Sequence, residues 1–151
     1  MIQTSNLQSI IMLSYLKDSM LKKIEKITKV TTYKAGHQIF KEGDFADRIY
    51  SILEGEVMLE LYKNSSTGIL LGTIPRGYTF GFSALVDTEE KRYTSSARAR
   101  TDVRLCVWRG EDLEVLFHQD YEMGFLLMKR IAKIIKTRLQ TRNIQFLDIY
   151  R

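Results

Sequence analysis

Seven of the nine glycines fall between Gly36 and Gly81, and that crowding is the strongest constraint on what the chain can fold into. Before and between the glycines stand short pieces rich in β-branched, aliphatic and aromatic residues: Val30–Tyr33, His37–Phe40, Arg48–Leu53, Glu56–Tyr62 and Ile69–Ile74. Residues of this kind favour strands, while glycine supplies the backbone conformations that tight turns need. The turns are Lys34-Ala35-Gly36, Lys41-Glu42-Gly43-Asp44, Glu54-Gly55, Asn64 to Gly68, and Pro75-Arg76-Gly77 with the only proline. Acidic and apolar residues roughly alternate from Glu56 to Tyr62, as in a half-buried strand. A hydroxyl-rich extended piece, Tyr93 to Ser96, and a last strand, Val103 to Trp108, follow. Strands at this regular spacing predict a β-sandwich or barrel-like roll.

Helical patterns flank the roll. The segment from Leu7 to Ile27 reads as helical, with Asp18 capping a second helix in which Leu21, Ile24 and Ile27 recur at spacing three. From Gly110 onward Glu111 and Asp112 open one helix, and Met128, Ile131, Ile135 and Leu139 mark an apolar stripe on a longer one. A chain of 151 residues suits one structural domain, divided into an N-terminal helical segment 1–29, a roll 30–109 and C-terminal helices 110–151.

Several function classes are disfavoured. No apolar run approaches the roughly 20 residues a membrane span requires, and the N-terminus lacks a secretory pattern. A lone cysteine, Cys106, cannot form an internal disulfide, which fits a reducing cytoplasm; its setting, Leu105-Cys106-Val107-Trp108, marks a buried structural thiol. Lys129, Arg130, Lys133, Lys136, Arg138 and Arg142 form an acid-free run of cations within the overall charge of +5. Cations suit the C-terminal half of a helix, so the run reads as a solvated face rather than a nucleic-acid or membrane patch. His37 and His118 are far apart with no second ligand at metal-binding spacing, so neither metal nor haem is expected. The absence of a P-loop, nucleophile elbow or dinucleotide fingerprint points away from an enzyme.

The chemistry concentrates in Phe80 to Ala99. Gly81 can bring backbone close to a ligand, and Phe82-Ser83-Ala84-Leu85 can form one helical turn with free N–H groups at its start. Past a charged loop, Asp87 to Arg92, come Tyr93, Thr94, Ser95 and Ser96. A basic residue and hydroxyls facing such a turn make a phosphate cradle, although loop hydroxyls also commonly satisfy their own backbone.

Four stretches together resemble the cyclic nucleotide-binding domain of catabolite-activator-type regulators, protein kinase A regulatory subunits and gated channels. They are Tyr33–Gly36 with Ile39–Asp44, Ile49–Val57, Arg76–Gly81 with Ala84-Leu85, and Ala99–Val103. The resemblance implies an α+β, mainly β fold: a double-stranded β-helix, or jelly-roll-like β-roll, flanked by N-terminal helices and a long C-terminal helix. It implies a regulatory domain that senses cyclic AMP, cyclic GMP or another phosphate-bearing small molecule, with no further cofactor, and signals through its C-terminal helix or a partner protein. The same helix, about residues 121–141, is expected to form a homodimer. Family transcription factors continue into a helix-turn-helix domain; only about a dozen residues follow Leu139, so no direct reading of DNA is expected.

The resemblance also assigns the pocket to Phe80, Gly81, Phe82, Ser83, Ala84, Leu85, Arg92, Tyr93, Thr94, Ser95 and Ser96. Where the family places a ribose-binding Glu after the glycine, this chain has Phe82. The family's phosphate-binding Arg falls on Tyr93 by direct count, or on Arg92 with one residue of slack, and Thr94 matches a ligand-contacting hydroxyl. Two aromatics at these places either stack on a planar ligand or fill the pocket and leave a non-binding interaction module.

Overall fold

The computed structural model describes residues 2–86 and 89–150. Its elements are α1 (Thr4–Leu7), a 3-10 turn (Ile11–Leu13), α2 (Asp18–Ile27), β1 (Lys29–Tyr33), β2 (Gln38–Phe40), β3 (Arg48–Glu54), β4 (Val57–Tyr62) and β5 (Gly68–Ile74). There follow β6 (Thr79–Phe80), a second 3-10 turn (Phe82–Ala84), β7 (Ser96–Ala99), β8 (Val103–Arg109), α3 (Gly110–Gln119) and α4 (Tyr121–Ile149). Two four-stranded antiparallel sheets, ordered β1-β8-β3-β6 and β2-β7-β4-β5, build the expected roll. Among the described residues no helix is long and apolar enough to cross a membrane.

Strand periodicity divides the interior into two cores. Along β3, Ile49 and Leu53 join the helices, while Tyr50 and Ile52 point between the sheets. β8 does the same, with Cys106 and Trp108 on the helix side and Val103 and Leu105 on the other. Alternating side chains on a pleated strand make this division unavoidable once both faces are covered. Trp108 is almost wholly buried, and its Nε1–H donates to Thr28 Oγ1 at 2.7 Å. That hydroxyl donates on to the Ile24 carbonyl at 2.6 Å, so α2 is tied to β8. Cys106 is buried as expected, and desolvation pushes its thiol up to about 12.

Two local expectations need correction. The N-terminal segment does not run as helix from Leu7, because Ile10, Met12 and Leu13 sink into the helix-side core and the Ile11 N–H bonds to the Gly77 carbonyl at 2.9 Å. Docking onto the roll's turn wins over helical propensity there. Asp18 is the first residue of α2 and not its cap; Lys17 stands at the cap position, and the Asp18 carboxylate accepts from Gln8 Nε2 at 3.3 Å. The roll covers the stripe on α4 only in part: Ile131 lies in the core with Met123, Leu127 and Ile134, whereas Leu139 is exposed. The face of α4 turned to the roll is thus set one or more residues away from the one the apolar spacing marks.

Backbone proximity seats the second 3-10 turn. A Cβ on Gly110 would lie 2.0 Å from the Ala84 carbonyl oxygen, and the Gly110 N–H donates to the Asp47 carbonyl at 2.9 Å. Gly110→Ala should therefore lower unfolding stability by about 2–3 kcal/mol through forced separation of α3 from the turn. Gly72→Ala, where a Cβ meets nothing within 4 Å, is the control and should be near neutral. Urea midpoints for the two variants measure the difference.

Candidate ligand-binding site

A cavity of about 420 Å³ opens between the second sheet, the turn after Gly81 and the outer half of α4. Its walls are Phe40, Leu59, Leu61, Leu71, Gly81, Phe82, Ser83, Val86, Tyr93, Thr94, Ser95, Ile135, Arg138, Leu139 and Arg142. The volume lies within the range of small-molecule sites, and the lining follows their usual plan of apolar walls with a few polar groups.

The turn is held in place by local geometry. Gly81 has φ +86, a left-handed conformation that L residues avoid, and a Cβ there would press on the Arg48 carbonyl oxygen at 3.1 Å. The chain then closes Phe82–Ala84, whose N–H groups are partly consumed: Ala84 donates to the Gly81 carbonyl at 3.2 Å and Leu85 to the Phe82 carbonyl at 2.9 Å. The expected cradle of Ser83, Ala84 and Leu85 donors is thereby reduced to the start of the turn.

Of the residues the sequence singles out, the structure brings Gly81, Phe82, Ser83, Tyr93, Thr94 and Ser95 to the cavity wall. It does not bring the others. Phe80 is fully buried and stacks on Tyr50 at 5.2 Å, and Ala84 is buried against Gly110. Leu85 packs on the helix-side core. Ser96 is buried in β7, its hydroxyl accepting from the Glu42 N–H at 2.9 Å. Arg92, the expected source of charge, turns away: Nε pairs with Glu90 at 2.8 Å and a second N–H donates to the Gly43 carbonyl at 2.9 Å. The strand assigned to Tyr93–Ser96 begins only at Ser96, because Tyr93 exchanges backbone hydrogen bonds with Gly43 and Asp44.

Tyr93 is the floor of the cavity. Its ring stacks on Phe40 at 3.7 Å and 8°, and its hydroxyl both donates to the Arg48 carbonyl at 2.7 Å and accepts from the Arg48 N–H at 3.2 Å. A phenol so satisfied presents a π-face to the cavity and no free donor. Burial raises its pKa well above the usual tyrosine range, and burial also pushes neighbouring Tyr50 up to about 12.

The positive charge comes from α4 instead. The Arg138 guanidinium donates to the Thr79 carbonyl and lies 5.2 Å over the Phe82 ring, while Thr79 is itself fixed by a 2.6 Å hydroxyl contact with Ser51. Desolvation first, and then the nearby Arg142, lower the Arg138 pKa to about 10. The cation run on α4 is therefore not simply a solvated face. Arg130 donates to the Ile11 carbonyl at 3.3 Å, and Lys133 donates to the Tyr15 hydroxyl at 2.6 Å. Sequence reasoning missed Arg138 and Arg142 because a helix carries no mark of which cations face a cavity; their unbroken lack of neighbouring acids was the available signal.

The phenols generate a prediction. Below about pH 10 Tyr50 and Tyr93 are protonated whether the chain is folded or not. Above it the unfolded chain sheds protons that the native state retains, so stability falls as pH rises through and beyond the ordinary tyrosine range. Urea unfolding between pH 8.5 and 11.5 should show this fall, with a shallower slope for Tyr93→Phe. That variant should also lose about 1 kcal/mol at neutral pH from the two unmade bonds to Arg48. An unchanged slope would mean that Tyr93 is not shielded as described.

Comparison with known proteins accords with this geometry. The family model for the cyclic nucleotide-binding domain matches residues 30–120. A solved protein of Geobacter metallireducens GS-15, assigned as a cyclic nucleotide-binding protein, is 33% identical with a TM-score of 0.79, over 92% of this chain and 99% of that one. A Rhodopseudomonas palustris protein assigned as a potassium channel is 29% identical over 128 residues, 83% of this chain and 29% of its own. The global nitrogen regulator of a Nostoc species is 24% identical over 121 residues, 80% of this chain and 54% of its own. The chain thus spans about a third and about half of these two relatives.

Proposed function

The chain belongs to the cyclic nucleotide-binding domain family, and on that premise we propose that it senses a cyclic nucleotide or related phosphate-bearing ligand in the cavity beneath α4. A ligand-sensing regulatory role is what the family and its regulatory relatives support. The observation that carries the finer reading is the open cavity itself, bounded on one side by the turn after Gly81 with Thr94 and Ser95, and on the other by α4. A ligand there touches the roll and the helix together, so occupancy biases the position of α4, and α4 carries the signal to a partner protein or second copy.

A second reading, an interaction module with a closed pocket, is favoured by the Tyr93–Phe40 stack and by Arg138 lying across Phe82. Thermal unfolding separates the two. A ligand at a hundred times its Kd stabilises a native-only binder by about 2.7 kcal/mol, or roughly 5–11 °C for a chain of this size. A panel of cyclic AMP, cyclic GMP and cyclic dinucleotides should include at least one member with such a shift. No shift from any of them rules these cyclic nucleotides out as the ligand, which is also what the interaction-module reading expects.

We also propose a homodimer through residues 121–141. Tyr121, Phe125, Ile135 and Leu139 are exposed along that span, a long apolar surface of the kind that has a partner. Phe125 lies away from the cavity, so Phe125→Glu tests assembly without disturbing the ligand site. Sedimentation should give a dimer for the parent and a monomer for the variant at tens of micromolar; a monomeric parent refutes the assembly.

A further inference from the structure

Arg138 and Arg142 enter the cavity from α4, and none of the described residues lining it is acidic. Neither guanidinium takes part in an ion pair among the described residues. Both are half-buried, although most of their neighbours on this stretch of helix are exposed. Two like charges drawn partly out of water with no carboxylate between them are unfavourable, and a bound oxyanion relieves both the desolvation and the repulsion. Arg138 is occupied by a single backbone carbonyl, that of Thr79, and by the Phe82 face. A forked guanidinium bonds more strongly to a carboxylate or phosphate than to a neutral carbonyl, so a ligand can recruit it. The Arg142 guanidinium makes no hydrogen bond among the described residues.

The opposite wall has a different chemistry. Phe40, Leu59, Leu61 and Leu71 offer apolar surface, and the Tyr93 ring lies flat on Phe40. Among the described lining residues nothing has the carboxylate that would accept a sugar hydroxyl. An amphiphile fits such a cavity best, with its charge toward the helix and a flat apolar body against the sheet.

We propose that the cavity takes an aryl oxyanion, an aromatic carboxylate or phosphate without a sugar, whose charge is held by Arg138 and Arg142 on α4 and not by the turn after Gly81. This rests on the reading of the cavity as a ligand site and goes beyond it, to an anion that is not a cyclic nucleotide. It also places the charged contact on α4, so binding would transfer Arg138 from the Thr79 carbonyl to the ligand.

Calorimetry on the full chain with 1-naphthoate, 1-naphthyl phosphate, the neutral 1-naphthylmethanol and cyclic AMP tests the proposal. At least one naphthyl anion should bind, and the two anions tell carboxylate from phosphate. The neutral analogue should bind at least tenfold more weakly. Arg138→Gln and Arg142→Gln should each reduce anion affinity about ten- to a hundredfold. Arg92→Gln should leave it unchanged. Arg142→Gln guards against a folding artefact, since its guanidinium makes no internal bond. Equal affinity for the neutral analogue, or indifference to both substitutions, overturns the proposal. If cyclic AMP binds while neither naphthyl anion does, the aryl class falls and the sensor reading stands. If no anion and no cyclic nucleotide binds, both fall.

Discussion

Everything in this molecule hangs on β3 and β8, the paired strands covered on both faces. Their register, Ile49 opposite Trp108 through Ile52 opposite Leu105, sends alternate side chains to the helices and to the other sheet. One pair of strands therefore lines two cores. The Ser51–Thr79 hydroxyl pair is a buried polar contact carried on this framework, and it satisfies both groups at once. Thr79 in turn presents its carbonyl to Arg138, so the charged wall of the cavity is registered to the central strands.

The cavity exists because two different constraints meet at its rim. Gly81 must adopt a left-handed conformation close against the Arg48 carbonyl, and Gly110 must let α3 approach Ala84. Together they hold the turn after Gly81 at a fixed height over the sheet. The Tyr93 hydroxyl, bonded twice to the Arg48 backbone, fixes the floor to the same strand. By contrast the roof, the outer half of α4, is anchored by few groups: Arg138 on Thr79 and Gln145 on the Leu71 carbonyl at 3.2 Å. Floor and roof are thus held by different contacts, and a ligand can shift only an element whose contacts it rivals in strength.

Charge follows the same division. Phe82 and Tyr93, the two aromatics of the turn side, are both used structurally: one lies under Arg138 and the other on Phe40. Arg92, one residue away from the expected place, is neutralised by Glu90 and by a backbone carbonyl. Among the described lining residues the turn side of the cavity carries no charged side chain, and the cations stand on the helix side.

Local pattern determined the fold. Glycines at left-handed turns, two-residue alternation and the helical periods at both ends are properties of short stretches, so β1 to β5, β8 and the closing helices were legible from the sequence alone, as were Gly81, Phe82, Ser83, Tyr93, Thr94 and Ser95 as residues of one region. What only the tertiary structure decided depends on partners distant in the chain. Gly77 breaks the N-terminal helix through Ile11, 66 residues earlier, by taking its N–H. Ile131 is core and Leu139 surface because of where α4 crosses the roll. Arg138 and Arg142 rather than Arg92 reach the cavity for the same reason: a side chain's chemistry is written in the sequence, but which cation loses its water is settled by what packs around it.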